Sequence, residues 1–403
     1  MDEWPRVRLG DVTRQIQDQV SVEVDRSYSL LGVKWYTEGP FLRETVTHET
    51  SKATRFYRVS AGQFIYNRLF AWKGSFGLVG DDLDGSYVSN EFPLFECDRK
   101  RLLPEFLLLH FRQPGVWNYI ERVSTGTTAS RNRWKEAQFN VYSIALPPLA
   151  AQRRIVDLLA SVGAQLAHLA DEASSLRSLL TARRAELFER SDVRTVPVRD
   201  AFSVLMGRQR APQHATGPYM TNYLRSANVG DGSLDLTDIK QMNFAPAEQE
   251  KFALQRGDVL VSEGSASPKA VGFTAVWNEE LPGVVCFQKT LLRFRSVEGV
   301  STSEYTHHWC QWAFESGTFL GISSGTNIKH ITAVRVLDVP VALPTIEDQT
   351  RTAAELDVIA AGLSSVRAEA FQVRAFRAAL LSALLAQEIE IPVTYDSLLE
   401  EVA

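Results

Sequence analysis

Between Thr50 and Gly80 the chain carries Lys52, Arg55, Arg58, Arg68 and Lys73 and no acid. Phe56, Tyr57, Phe64, Tyr66, Phe70, Trp72 and Phe76 are interleaved with them. Cations hold phosphates and aromatic rings meet base faces, so this mixture suits a nucleic-acid surface. It equally suits a strand-rich core whose solvent side is basic, because charge asymmetry reports a class of partner and not a function. We take Arg55, Arg58, Arg68 and Lys73 as the first candidate contacts, since Arg can bond guanine edges in bidentate fashion while Lys more often holds phosphate. Two Gly-Thr loops supply a second set: Thr127, Arg131, Asn132 and Arg133 after STGT, and Thr326, Asn327, Lys329 and His330 after SSGT. Their glycines permit close backbone approach, and a purely structural turn explains them as well. Arg208, Arg210, Gln288 and Lys289 complete the candidates.

Signatures of catalysis are missing. There is no P-loop, no Gly-x-Gly-x-x-Gly opening a helix, no Asn-Pro-Pro-[Tyr/Phe], no Gly-x-Ser-x-Gly and no His-Glu-x-x-His. The adjacent His307 and His308 point about 100° apart on a helix and make poor joint ligands, so a packing role is expected and no metal site is assigned. Asp81, Asp82 and Asp84 read as a solvated turn. The acid and lysine groupings around Asp235, Asp238, Lys240, Glu263 and Lys269 have generic spacing and do not make a nuclease.

Composition sets the frame. With 403 residues, 45% apolar and 23% charged, the chain has material for two or three domains. Cys97, Cys286 and Cys310 lie far apart, which argues against a disulfide framework or a Cys-rich zinc site and suits a reducing cytoplasm. The start, MDEWPRVRLGDV, has no apolar run of the secretory kind, and no stretch approaches the roughly 20 apolar residues of a membrane span. A soluble cytoplasmic protein is therefore expected. The net charge of −5 is accounted for by the tail, where Glu388, Glu390, Asp396, Glu400 and Glu401 have no basic neighbour.

What positions the candidate contacts is a duplication. LPPLAAQRRI (146–155) returns as LPTIEDQTRT (343–352), 197 positions later. Each copy follows a Gly-Thr step and an apolar strand-like run, FNVYSIAL or VRVLDVPVAL. Further upstream come a helix-like stretch rich in bulky residues and two β-type runs, GQFIYNRL and FGLVG or GDVLVS and VGFTAVW. The same order in two halves is an internal repeat.

Downstream of each junction apolar residues step by three and four. The first series includes Leu159, Val162, Leu166, Leu169 and Leu176, and the second Leu356, Ile359, Leu363, Val366 and Val373. An average step of 3.5 keeps one seam against a partner helix, over roughly 42 Å from Leu159 to Leu187. The short connection after Arg190 places the next globular domain at the far end of the first helix, so a second helix packing on the first must run back. The expected fold is α+β: two tandem mixed α/β domains separated by two long helices in an antiparallel coiled coil, with a pseudo-two-fold repeat. The expected divisions are domain one (1–145), spacer one (146–191), domain two (192–342), spacer two (343–387) and an acidic tail (388–403).

Two similar readers held apart by a rigid spacer fit duplex DNA, whose groove faces recur roughly every 34 Å. The doubled Gly-Thr, strand, Leu-Pro-Pro-Leu-x-x-Gln, long-helix order, with the phrases LLGVKWYTEG, YNRLFAWKGSFG and YLRSANV, resembles the DNA-specificity (S) subunits of type I restriction-modification systems along essentially the whole chain. The family's junction usually reads Pro-Leu-x-Glu-Gln; here Ala151 stands for that Glu in the first copy, and Thr345 for the second Pro in the other. The resemblance implies two target-recognition domains reading a bipartite asymmetric site in double-stranded DNA. It also implies methyltransferase (M) subunits that bind S-adenosylmethionine and a restriction (R) subunit that uses ATP and Mg. This chain would then be a non-catalytic member of the complex with no cofactor of its own. The rival reading is an interaction scaffold whose coiled coil joins proteins and whose end domains bind peptides. A third is an enzyme acting on nucleic acid through an unrecognised site.

Overall fold

The computed structural model describes residues 3–126, 132–265, 267–326 and 328–397. The chain forms two compact units: residues 1–168 with 370–403, and residues 169–369. The long helices Leu149–Phe188 and Ile346–Leu385, of 40 residues each, are therefore shared, with one half of each helix in each unit.

In the first unit, Arg6–Arg8 pairs antiparallel with Ser143–Ala145, closing the globular part just before the junction. A four-stranded sheet runs in the spatial order Thr13–Ile16, Leu94–Cys97, Phe64–Tyr66, Phe76–Leu78. A five-stranded sheet runs Gln19–Ser21, Arg55–Arg58, Tyr87–Val88, Tyr28–Val33, Pro40–Val46. Phe64, Phe76, Phe95, Phe106, Phe111, Trp134 and Phe139 fill the core between the first sheet and the helices, all fully buried. Rings in such numbers bury large areas and favour the offset and edge contacts seen here, such as Phe76 on Phe111 at 4.4 Å.

The second unit repeats this plan. Thr195–Pro197 pairs antiparallel with Pro340–Ala342. Its four-stranded sheet, Phe202–Met206, Leu291–Ser296, Val259–Ser262, Thr274–Val276, has the same order as its counterpart. Met220–Leu224 pairs antiparallel with Lys240–Asn243 and parallel with Val285–Phe287. That matches Tyr28–Val33, which takes Pro40–Val46 antiparallel and Tyr87–Val88 parallel. The repeat seen in the sequence is thus a repeat of topology.

The junction glutamines explain why that phrase is written twice. Gln152 is fully buried; its Oε1 accepts from Leu103 N at 2.8 Å, and its Nε2 donates to the carbonyls of Arg101 and Pro147, both at 2.8 Å. Gln349, equally buried, accepts from Thr302 N at 3.0 Å and donates to Val300 O and Pro344 O at 2.9 and 3.0 Å. Leu103 and Thr302 are the N-caps of helices Pro104–Phe111 and Ser303–Glu315. One side chain therefore fastens the start of a long helix to the start of a core helix, with every amide polar group paired. Thr345 also has its reason: its Oγ1 accepts from Asp348 N at 3.2 Å, the N-cap bond for which Thr is suited and Pro is not.

The seams are buried as their spacing predicts. In the first unit Ile155 and Leu159 pack with Leu381 and Leu384, and Arg377 Nε donates to Leu159 O at 3.2 Å. In the second unit Leu176 and Leu180 pack with Leu356 and Leu363, and Arg183 Nε reaches Glu355 Oε1 at 2.7 Å. Going from Leu176 to Arg183 meets Gly362 and then Glu355, so these helical segments run antiparallel. Of the other predicted seam residues, Leu169 and Val366 are buried and Val162, Leu166, Ile359 and Val373 half-buried.

Two details differ from the sequence reading. Neither FNVYSIAL nor VRVLDVPVAL is one strand: Glu136–Val141 and Ala333–Val336 are helical and only Ser143–Ala145 and Pro340–Ala342 are strand. The reason is that Gln138 bonds back to Lys135 N and Thr332 Oγ1 accepts from Arg335 N, each closing a helix start. Beyond Leu180 the buried face turns toward helix Ser303–Glu315: Arg184 and Phe188, both 4% exposed, meet Glu315 and His308, and Tyr305 and Trp312, respectively. Arg183 faces Glu355, and Leu187 is half-buried against the same core. Among the described residues no helix is long and apolar enough to cross a membrane.

Candidate nucleic-acid interface

In the first unit, strand Arg55–Arg58 has Phe56 buried and Tyr57 half-buried, with Arg55 and Arg58 exposed at its two ends. Among the described residues Arg55 Nη1 has only a long bond to Gln19 Oε1 at 3.5 Å, and Arg58 Nε lies 3.8 Å from Asp18 Oδ2 with both side chains about half exposed. Exposed pairs of this kind are worth little and exchange readily for a phosphate. Both arginines therefore remain as cations offered to solvent.

Arg68 does not. Its side chain is 17% exposed and lies between Glu91 (3.9 Å) and Glu136 (3.3 Å). Arg133 reaches the same Glu91 with Nη2 at 2.9 Å and Nε at 3.1 Å. Two cations and two carboxylates cancel locally, so these arginines brace the segment around Trp134, whose amide bonds Arg68 O at 3.1 Å. Lys73 stands over Trp35, its Nζ 3.8 Å from the ring centroid, and 4.9 Å from Trp72. Asn132 is half-buried. Thr127, Arg131 and Asn327 lie outside the described residues.

Both Gly-Thr loops are closed in the same way, by an isolated bridge between Thr125 and Arg133 in one unit and Ser324 and His330 in the other. Gly325 has φ +113, and a Cβ there would meet Ile328 O at 2.1 Å, so only glycine fits. Thr326 is exposed. Lys329 and His330 form a short strand pairing with Gly264–Ser265, and His330 Nδ1 lies 3.0 Å from Glu263 Oε2.

In the second unit Arg208 is 8% exposed. Its guanidinium bonds Glu248 Oε1 at 2.7 Å and Asn243 O at 2.6 Å and lies over Phe244 at 5.0 Å. It holds the wall of a cavity of about 420 Å³ lined by Arg210, His214, Arg225, Lys240 and Gln288, among others. Arg210 is exposed, and Arg225 and Lys240 share Asp238 at 2.6 Å each. Three cations against one carboxylate make this rim locally positive. Arg225 and Lys240 carried no sequence signal as a pair, because strand pairing, with Lys240 opposite Tyr223, brings them together. Lys289 is exposed and makes no ion pair among the described residues.

His307, His308 and Asp357 bring their ligand atoms within 4.8 Å of one another. His308 is fully buried, with Nδ1 3.4 Å from Arg184 Nη2 and Nε2 2.9 Å from Asp357 Oδ1. A guanidinium only donates, so Nδ1 accepts and Nε2–H donates to Asp357. Arg184 also bonds Glu315 Oε1 at 2.6 Å. This network ties both long helices to helix Ser303–Glu315. Burial holds the His308 pKa below the ordinary histidine value, and burial with the neighbouring His308 and Arg184 lowers His307 to about 3.

Residues 1–174 match the family model of the type I restriction modification DNA specificity domain. The chain is 25% identical over 198 residues to the type I restriction enzyme StySPI specificity subunit of Salmonella potsdam, covering 47% of this chain and 42% of that protein. It is 20% identical over 160 residues to the type I restriction enzyme HindI specificity subunit of Haemophilus influenzae, covering 40% and 35%. The aligned stretches thus span less than half of either relative. A solved structure from work on complex assembly and conformational transition of the type I R-M system is similar in fold at a TM-score of 0.63 and 20% identity, over 96% of this chain and 98% of that one.

Proposed function

We propose, for a chain that belongs through residues 1–174 to the type I restriction modification DNA specificity family, that it is the sequence-reading subunit of such a system. Each unit reads one half of a bipartite, asymmetric site in double-stranded DNA, and the paired long helices set the gap. The observation that carries this reading is the repeated topology with diverged surfaces: the same strand order twice, presenting Arg55 and Arg58 in one unit and Arg210, Arg225 and Lys240 in the other. Family membership favours it over the peptide-binding scaffold.

In this reading the chain itself is non-catalytic and acts in the cytoplasm. Methyltransferase subunits supply S-adenosylmethionine chemistry, and a restriction subunit supplies ATP- and Mg-dependent cleavage. The methyltransferase subunits dock on the outer faces of the long helices, where Val358, Phe371 and Phe376 are 74%, 70% and 57% exposed. Apolar side chains that open to water on helices otherwise sealed at the seam fit a partner surface.

Selection from a random duplex library by the chain co-expressed with its methyltransferase tests the reading. The expected product is a two-part motif with a fixed gap, and replacing residues 1–145 changes one half only. A single contiguous motif, or none, contradicts it.

A further inference from the structure

The connection between strands Tyr28–Val33 and Pro40–Val46 is a strained hairpin tip. Tyr36 and Thr37 have φ of 58° and 57°, and Glu38 N bonds Trp35 O at 3.2 Å. Two left-handed residues inside that bond make a type I′ turn, for which Asn-Gly is the suited pair. Tyr and a β-branched Thr are poor choices on backbone grounds, and strain of this kind persists where the surroundings enforce it and a side chain is wanted.

The surroundings do enforce it. Tyr36 N donates to Lys73 O at 2.9 Å and Thr37 N to Gly74 O at 2.7 Å. Gly74 is itself left-handed, and a Cβ there would strike Trp117 at 2.4 Å. The turn is thus fastened to the 70–74 loop of the acid-free basic-aromatic segment.

What the turn displays is aromatic. Tyr36 is 62% exposed, Trp35 40% and Phe70 36%. Trp35 is braced by Phe70, centroids 5.5 Å apart, and by the Lys73 ammonium, while Tyr36 leans on Trp117 at 5.9 Å. Lys34 stands beside them, in a loose exposed pair with Glu38 at 4.0 Å. The second unit has no counterpart: its corresponding strands are joined by the longer connection from Arg225 to Ile239, which has no aromatic residue.

We infer that Tyr36, carried on this strained turn and backed by Trp117, is a wedge that stacks on a base of duplex DNA, with Lys34 and Lys73 on the flanking phosphates. The inference rests on the DNA-reading function proposed above and deepens it. Wedges of this kind open a base step and read its ease of deformation. The occupant is DNA because lysines flank the rings and because the turn is continuous with the acid-free segment. Since only one unit carries the wedge, one half of the site should be deformed and the other not.

The test uses the complex with its methyltransferase and the fluorescein-labelled duplex recovered by selection, with affinity read by anisotropy across a salt series. Tyr36→Gly should weaken binding roughly 10- to 100-fold, the scale of one lost stacking contact. The salt slope should not change, because a neutral ring releases no counterions. Tyr36→Phe should keep most of the affinity. Glycine fits the left-handed turn, so Tyr36→Gly should not lower the Tm, which separates lost binding from lost folding.

Wild-type binding that Tyr36→Gly changes by less than twofold overturns the wedge alone. Unchanged DNA affinity with loss of co-purifying methyltransferase makes the patch a protein-docking surface and also overturns it. If the wild-type complex binds no duplex at all, the DNA-reading function falls and the wedge with it.

Discussion

Replacing Gln152 with Leu removes three hydrogen bonds from a site with no access to water while nearly keeping side-chain volume. The donor Leu103 N and the acceptors Arg101 O and Pro147 O each lose a 2.8 Å bond. At about 1 kcal/mol net per bond, rising where a buried group is stranded, the loss should be about 3 kcal/mol. Gln152→Glu keeps the acceptor for Leu103 N but turns a carboxylate toward two carbonyl oxygens, so it should cost more than Leu despite being closer in shape. Denaturant unfolding gives the magnitude, and hydrogen exchange gives the location: the Leu103 amide and the first turns of Pro104–Phe111 and Leu149–Phe188 should lose protection. Gln349→Leu should produce the same loss around Thr302. A cost below about 1 kcal/mol, or a Glu variant milder than Leu, would refute the idea that these glutamines lock the two junctions.

Leu159→Ala, at a fully buried seam position, should destabilise the chain by about 2–5 kcal/mol in urea titrations. Arg58→Ala should weaken DNA binding and lower the slope of log affinity against log salt by about 0.9, with little change in Tm. Arg68→Ala should behave in the opposite way, lowering Tm because Glu91 and Glu136 lose a partner. His307 is neutral when folded, with its pKa lowered to about 3, whereas the unfolded chain takes up a proton near pH 6.5. Stability should therefore be fully present above that pH and fall by up to about 1.4 kcal/mol per pH unit as the pH drops below it. His307→Gln should flatten this acid limb in Tm measured against pH.

The duplication, the strand-then-helix order and the helical seams were legible because each is written as spacing, and spacing survives divergence of the residues between. The burial of Leu159, Leu169, Leu356 and Leu363 follows directly from it. The role of the repeated Gln was not legible, since two of its three partners are backbone groups about 50 residues away that only folding brings to it. The candidate contacts divide for the same reason. Arg55 and Arg58 look exposed and basic in sequence and are so, whereas Arg68 meets Glu136, 68 positions on, and Arg208 meets Glu248, 40 positions on. A sequence shows where cations are and not which carboxylates will meet them. The Tyr36–Thr37 turn was hidden because it lacks the Gly or Asn that announces a type I′ hairpin.

The central claim is that the paired helices set the distance between the two half-sites. Removing residues 166–172 from the first long helix and 366–372 from the second deletes one facing heptad from each, about 10 Å of rod at about 1.5 Å per residue. Repeating the duplex selection with this variant should return both half-motifs unchanged with the gap shortened by about 3 base pairs, taking roughly 3.4 Å per pair. Recovery of the original gap from a folded variant would contradict the account.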